Sequence, residues 1–236
     1  MKRRRLGQHY LVDQSVVSRL VAFAAIRRGE RVLEIGTGRG AVTKELAKVS
    51  TALEGYEVDE ENLLETREAV GDSGVKIRLG DAFESRPKFD VLVASLPYSR
   101  SSAFVEWIAQ RRYDRAVVVL QDDFVRKVSA LPGQRDYRAI SVIAQASSVV
   151  AELSRVPRSS FIPQPKVNSV IASWRPRRTL TQAEISSVKR LFSLRRRQVG
   201  AAVAELGGLA QSSLASTRVN ALSPEQALSL AKAARI

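Results

Sequence analysis

Four short stretches of the chain combine residue types that can do chemistry with spacings that could bring them together. The first is Arg31-Val-Leu-Glu-Ile-Gly-Thr-Gly-Arg-Gly40, an apolar run ending in Gly36, Gly38 and Gly40. Glycine permits a sharp turn at positive φ and leaves bare backbone for a ligand to approach, while a helix starting at Ala41 would point free N–H groups back at the turn. Such a turn suits a nucleotide-like ligand, although the third glycine comes one position earlier than in the dinucleotide pattern G-x-G-x-x-G. The second and third stretches put acids at the ends of apolar runs: Glu57, with Asp59 beyond it, and Asp81, followed by Ala82. Glu57 could take both hydroxyls of a ribose, which a nicotinamide-dinucleotide protein would also require, and Asp81 could accept from the exocyclic amine of an adenine. Either acid alone is more readily a solvated strand-end residue; their placement on successive strand ends is what points to an adenosine-containing cofactor.

The fourth stretch, Ser95-Leu96-Pro97-Tyr98, sets a hydroxyl, backbone carbonyls and an aromatic ring at one place, with the backbone constrained by proline. An adenine N6 amine is a poor nucleophile because its lone pair is delocalised into the ring. Two acceptors holding its N–H groups would tilt it toward a tetrahedral shape and aim the lone pair at a methyl sulfonium, while an aromatic face stacks the base. No strong base is required. The competing reading is an ordinary turn with a core tyrosine.

Positioning these stretches needs strands that alternate with helices. Apolar runs at 31–35, 51–58, 75–79, 89–94 and 115–120 read as strands, the last an almost unbroken β-branched run suited to a buried central position. Helices are expected from Asp13 to near Arg27-Arg28-Gly29, over 41–49, 60–70 and 102–112, from near Asp122, and over 135–146. This alternation implies an α/β, doubly wound, Rossmann-like parallel sheet, in which ligands bind beyond the carboxyl ends of the strands. Segments 149–156 and 169–174 look like a closing pair of strands around a proline-stiffened loop. From Thr179 the pattern is helical: Thr181 with Glu184 resembles a capping box, Ile185, Val188, Leu191 and Phe192 form a stripe, and Ser223-Pro224-Glu225 opens a last helix. The expected division is 1–178 as the cofactor-binding catalytic domain and 179–236 as a small helical domain.

Composition narrows the classes. The chain has 236 residues, 44% hydrophobic, enough for one large domain with a small appendage. A net charge of +14 favours a polyanionic partner, and residues 1–180 and 181–236 are each net positive. With no cysteine and one histidine, His9, a disulfide framework, a thiolate zinc site and a histidine-rich metal centre are excluded, so no metal is expected. No apolar run approaches the ~18 residues of a membrane span, and the basic 1–5 segment is followed by Leu-Gly-Gln-His-Tyr rather than an apolar signal core. A soluble, cytoplasmic monomer is the expectation. Lys2–Arg5 is either a solvated tail or an RNA-contacting arm, and Arg111-Arg112, Arg175–Arg178 and Arg195-Arg196-Arg197 are candidate parts of an RNA footprint.

Taken together, Leu6-Gly-Gln-His-Tyr-Leu11, Glu34–Gly40, Gly80-Asp81-Ala82, Ser95–Tyr98, Gln121-Asp-Asp-Phe124 and Phe161-Ile-Pro-Gln-Pro-Lys-Val-Asn-Ser169 occur in the order found in ribosomal RNA adenine dimethyltransferases of the KsgA type, which the chain resembles from residue 6 to about 174. The resemblance implies a class I fold with S-adenosylmethionine as methyl donor, and two adjacent adenines near the 3′ end of small-subunit rRNA as target, with a role in ribosome biogenesis. It places His9 and Leu11 beside the cofactor, Gly36 and Gly38 against its methionine part, Glu57 on its ribose, and Asp81 with Ala82 at its adenine. Ser95, Leu96, Pro97 and Tyr98 would hold the target amine and base, and Phe161 would cover that base from the other side.

Two positions depart from the family pattern. Position 95 is serine where the family usually has asparagine, and a hydroxyl reaches less far than an amide carbonyl. Position 122 is Asp where a basic or polar residue is usual. Three other readings compete: a large-subunit rRNA methylase of the erythromycin-resistance type, which shares the motifs; a catalytically weak ribosome-assembly or RNA-binding factor; and a nicotinamide-dependent dehydrogenase, in which the Ser-Leu-Pro-Tyr loop has no role.

Overall fold

Strand β6 (Arg115–Gln121) carries the β-branched run seen in the sequence, and six of its seven residues are buried. In the computed structural model, residues 8–208 and 213–234 are described. The Lys2–Arg5 cluster and the Leu6-Gly7 start of the first motif lie outside the described residues. Around β6 the sheet is built from β2 (Val32–Ile35), β3 (Leu53–Glu57), β4 (Lys76–Leu79), β5 (Val91–Ser95), β7 (Ser148–Val156) and β9 (Ser169–Pro176), in the order β4-β3-β2-β5-β6-β9-β7. Strands β2 to β6 run parallel, and β9 closes against β6 antiparallel, with Val118 opposite Ala172.

Chain order steps outward from β2 to β4 and then returns to β5 on the other side of β2. The sheet's switch point therefore lies between β2 and β5, where open α/β sheets bind ligands. Helices α2 (Ala41–Val49) and α3 (Glu60–Val70) supply the crossovers between β2, β3 and β4. A separate two-stranded ladder pairs β1 (Tyr10–Leu11) with β8 (Phe161–Ile162), joining two motifs that are far apart in sequence.

Helix α1 (Gln14–Ala24) starts where Asp13 caps it, accepting from the N–H groups of Ser15 and Val16, and buries Val16, Val17, Leu20 and Ala24 in the core shared with β2, β5 and β6. Each of the valines and the leucine contributes about 1.5–3 kcal/mol of burial. The helix ends at Ala24, earlier than the Arg27–Gly29 expected from sequence, because Arg115 caps it from β6. The guanidinium donates to the carbonyls of Ala24 and Ala25, both at 2.6 Å, and forks onto Glu30 at 2.9 and 2.6 Å.

Packing divides the chain into two compact units. One comprises the described residues up to Phe104, with Arg112–Asp122 and Ala151–Arg175; the other comprises Val105–Arg111, Asp123–Val150 and the described residues from Pro176 onward. The second unit thus recruits two earlier segments besides the stretch beyond the sequence-based boundary at 178. In it, α6 (Ala139–Ser147), α7 (Gln182–Ser193) and α9 (Pro224–Ala233) pack on one another. The capping box of α7 forms as expected, with Thr181 Oγ1 accepting from the Glu184 N–H at 3.1 Å and Glu184 accepting from the Thr181 N–H at 2.7 Å. Ser223 caps α9 in the same manner, with Pro224 in its first turn.

Helix α4 (Ser101–Ile108) stops four residues short of the expected Arg112, and α6 begins at Ala139 rather than 135. The segment before α6 is held instead as a loop, by Gly133 donating to the Asn220 carbonyl at 2.7 Å and by the buried Tyr137 hydroxyl donating to the Leu222 carbonyl at 3.0 Å. Helix α5 (Asp122–Val128) opens on Asp122, so the residue that departs from the family pattern places a carboxylate at a helix N-terminus, where its charge is favourable.

Candidate active site

The glycine turn after β2 is held from α3. Gly36, Gly38 and Gly40 all take positive φ, at 76°, 57° and 82°. Gly36 donates to the Tyr56 carbonyl at 2.9 Å, and the Thr66 hydroxyl donates to the Gly38 carbonyl at 2.8 Å while meeting the Thr37 hydroxyl at 3.0 Å. The Gly38 N–H points at Glu57, donating to Oε2 at 2.8 Å.

Glu57 ends β3 almost fully buried, and its Oε1 accepts from the N–H groups of Val58 and Asp59 at 2.9 and 3.0 Å. Burial pushes its carboxyl above the usual value, and the three N–H donors oppose that shift. Oε1 thus has both lone pairs engaged, while Oε2, with the Gly38 N–H as its donor, keeps one for a ribose hydroxyl.

Below Glu57 in β2, Glu34 is buried, with Oε2 lacking a hydrogen-bond partner among the described residues. Burial, reinforced by the charge of Glu57, pushes its carboxyl up to about 8. Asp81 follows β4; its Oδ1 accepts from the Phe83 N–H at 2.8 Å, and its Oδ2 pairs with the Arg100 guanidinium.

Ser95 is the last residue of β5, and the chain turns at Pro97 into a single helical turn, Tyr98–Arg100. That turn occupies the Pro97 carbonyl, which accepts from the Arg100 N–H at 2.8 Å, and the Tyr98 carbonyl, which accepts from the Ser101 hydroxyl at 3.0 Å. The acceptors that the turn does not use are the Ser95 hydroxyl and the Leu96 carbonyl. The Tyr98 hydroxyl lies 2.7 Å from Ser169 Oγ, its ring centroid is 5.3 Å from that of His9, and partial burial raises its phenol above the usual value. His9 Nδ1 lies 2.7 Å from the Pro163 carbonyl, which fixes it as the donor there.

All four stretches open into one cavity of about 290 Å³, walled by His9, Gly36, Gly38, Glu57, Asp81, Ala82, Ser95, Leu96 and Pro97 among others. Leu11 and Phe161 lie elsewhere: they face each other across the β1–β8 ladder, 6% and 2% exposed, as part of the core. Tyr98 flanks the cavity beside His9. Sequence reasoning missed Tyr10, Tyr56, Val58, Phe83 and Arg100 in the walls. Val58, next to the strand-end Glu57, stays 54% exposed in that wall.

Of the basic clusters, Arg178 pairs with Glu184 and Arg197 with Glu205, while Arg195 lies in the field of Arg138 and Arg196, which lowers its own pKa. Among the described residues, no group of three or more His, Cys, Asp or Glu is arranged to hold a metal, and no helix is long and apolar enough to cross a membrane.

The residues present fit an adenosine-containing cofactor. Gly36 and Gly38 line the cavity at positive φ, a backbone that L side chains rarely adopt, so the turn presents bare peptide to a ligand there. Acceptors for a ribose and an amine stand on the next two strand ends. The sheet and this cavity define a Rossmann-like fold with a site for an adenosine-containing cofactor at its switch point.

Comparison with known proteins refines the class. The family model for "Ribosomal RNA adenine dimethylase" matches residues 1–236. The chain is 33% identical over 202 residues to a "Probable ribosomal RNA small subunit methyltransferase A" of Pyrococcus abyssi, covering 85% of this chain and 75% of that protein. A dimethyladenosine transferase from Plasmodium falciparum has the same fold, with a TM-score of 0.81, 23% identity, and coverage of 94% of this chain and 96% of that one. The 23S rRNA methyltransferase ErmE is also similar, with a TM-score of 0.64 and 26% identity over 96% of this chain and 100% of that one. The chain belongs to the ribosomal RNA adenine dimethylase family, whose members are S-adenosylmethionine-dependent methyltransferases.

Proposed function

We propose that the protein transfers methyl groups to the N6 amines of two adjacent adenines near the 3′ end of small-subunit rRNA, acting on the small ribosomal subunit precursor as it assembles in the cytoplasm. One observation carries this reading: the Glu57 and Asp81 strand ends and the Ser95–Pro97 turn open into a single cavity, so a donor and an acceptor base can meet there. S-adenosylmethionine, when bound, supplies an electrophilic methyl group on its sulfonium.

Glu57 would orient the cofactor's ribose, Asp81 with Ala82 its adenine, and Gly36 and Gly38 its methionine part, with His9 at the edge of the cavity. Ser95 Oγ and the Leu96 carbonyl would accept the two N–H groups of the target amine and so free its lone pair. Tyr98 would stack on the base, anchored from Ser169. Leu11 and Phe161 would act from beneath, as a paired floor under the N-terminal segment and the loop facing the base. Methyl transfer to the held amine would be direct, leaving S-adenosylhomocysteine, and the proton would pass from the methylated amine to water without a dedicated base. The helical segment 179–236, with its Arg195-Arg196-Arg197 cluster, would contact rRNA phosphates, and the protein would work as a monomer.

Labelled methyl transfer onto undermodified small subunits, followed by mapping of the modified nucleotides, tests the reading. Large subunits run in parallel test the erythromycin-resistance alternative, which the ErmE likeness favours specifically. Label appearing at large-subunit adenines alone would overturn the small-subunit assignment. Absence of cofactor binding at micromolar levels would favour an assembly factor without catalysis.

A further inference from the structure

We infer that Arg100 is a displaceable occupant of the adenine end of the cavity and couples cofactor binding to RNA binding: the cofactor's amine takes Asp81 from the guanidinium, and a phosphate of the incoming RNA takes the guanidinium from the cavity. This inference rests on the cofactor assignment made above for the same cavity.

Arg100 lies two residues past Tyr98, with its backbone fixed by the bond from its N–H to the Pro97 carbonyl. The turn that presents the amine acceptors therefore also sets where this cation starts. Its guanidinium pairs with Asp81 Oδ2, and its central carbon stands 4.8 Å from the Phe83 ring centroid. Asp81 Oδ1 is already engaged by the Phe83 N–H, so Oδ2 is the oxygen that both the guanidinium and an adenine amine would seek. Phe83 is likewise the aromatic face on which either could stack, and Arg100, Asp81 and Phe83 all line the same cavity.

The Arg100 side chain is 42% exposed, and an ion pair of that exposure contributes little net stability. Displacing it is cheap. Once the carboxylate is claimed, the half-exposed cation is left without its partner. A phosphate supplies a new one, because a guanidinium forks onto phosphate oxygens as well as onto a carboxylate. Binding of the two ligands must then be mutually favourable to the same degree, since coupling is reciprocal.

Isothermal titration of the full chain with S-adenosylhomocysteine, with and without a short oligouridylate that carries phosphates but no target base, decides the matter. In the absence of oligouridylate, Arg100→Leu is expected to bind the cofactor product about threefold more tightly than the parent protein. The oligouridylate should tighten binding in the parent and leave Arg100→Leu unchanged, and Arg100→Gln should lose the coupling in the same way. Unchanged or weaker binding by both variants without oligouridylate, or an equal oligouridylate effect in all three proteins, would overturn the inference. Failure of S-adenosylhomocysteine to bind any of the three would instead overturn the cofactor assignment itself.

Discussion

The hydroxyls of Tyr98 and Ser169 lie 2.7 Å apart, so the aromatic ring proposed to stack the target base is anchored from β9. Tyr98→Phe keeps the ring and loses the bond. It should lower kcat/KM by about two- to tenfold, and Ser169→Ala should match it. Tyr98→Ala removes the stacking face and should cost up to about a hundredfold. Because burial holds the phenol above its ordinary value of 10, the pH–rate profile should show no alkaline limb from Tyr98 up to that pH.

Ser95 ends β5 with a hydroxyl where the family usually places an amide. Ser95→Asn extends the acceptor toward the cavity, and methyl transfer should hold or rise by up to about tenfold. The ratio of dimethyl to monomethyl adenine, read by mass spectrometry of the digested RNA, should shift toward the dimethyl product. A loss of activity would mean that this turn is used differently here.

Glu34 sits under the glycine turn with its carboxyl at about 8 against an ordinary 4.5. The folded protein therefore holds this proton more tightly than the unfolded chain does, and stability falls as pH rises from 4.5 to about 8. The loss is at most about 1.4 kcal/mol per pH unit. Glu34→Gln should flatten that decline in thermal melts of the ligand-free protein. A parallel decline in both proteins would place the titration elsewhere.

Arg115 closes α1 and pairs with Glu30 while their side chains are only 9% and 14% exposed. Arg115→Ala would strand two helix-end carbonyls and a carboxylate together, at a cost of about 3 kcal/mol in urea unfolding. The guanidinium holds the Glu30 carboxyl below its usual value, so the pair's contribution is present at neutral pH and is lost as pH falls below the ordinary carboxylate range.

What the sequence made legible follows from range. Local signals held: the β-branched run of β6 and the caps at Asp13, Thr181 and Ser223 all depend on neighbours a few residues away. Distant partners were silent. The end of α1 is set by an arginine 91 residues on, and the loop before α6 by carbonyls 85 and more residues on. In the site, the four strand ends were readable because a parallel sheet puts its carboxyl ends on one edge. Arg100 and Phe83 were not, since an arginine two residues beyond a motif looks like any solvated surface residue until its carboxylate partner is seen.

The pairing of Tyr10 with Ile162 and of Leu11 with Phe161 makes the segment carrying His9 and the loop carrying Phe161 a single mechanical piece. A chain trimmed ahead of Asp13 would forfeit more than an imidazole. It would leave Phe161 and Ile162 with no strand to ladder against, so damage aimed at the donor's side of the cavity would register on the acceptor's side as well.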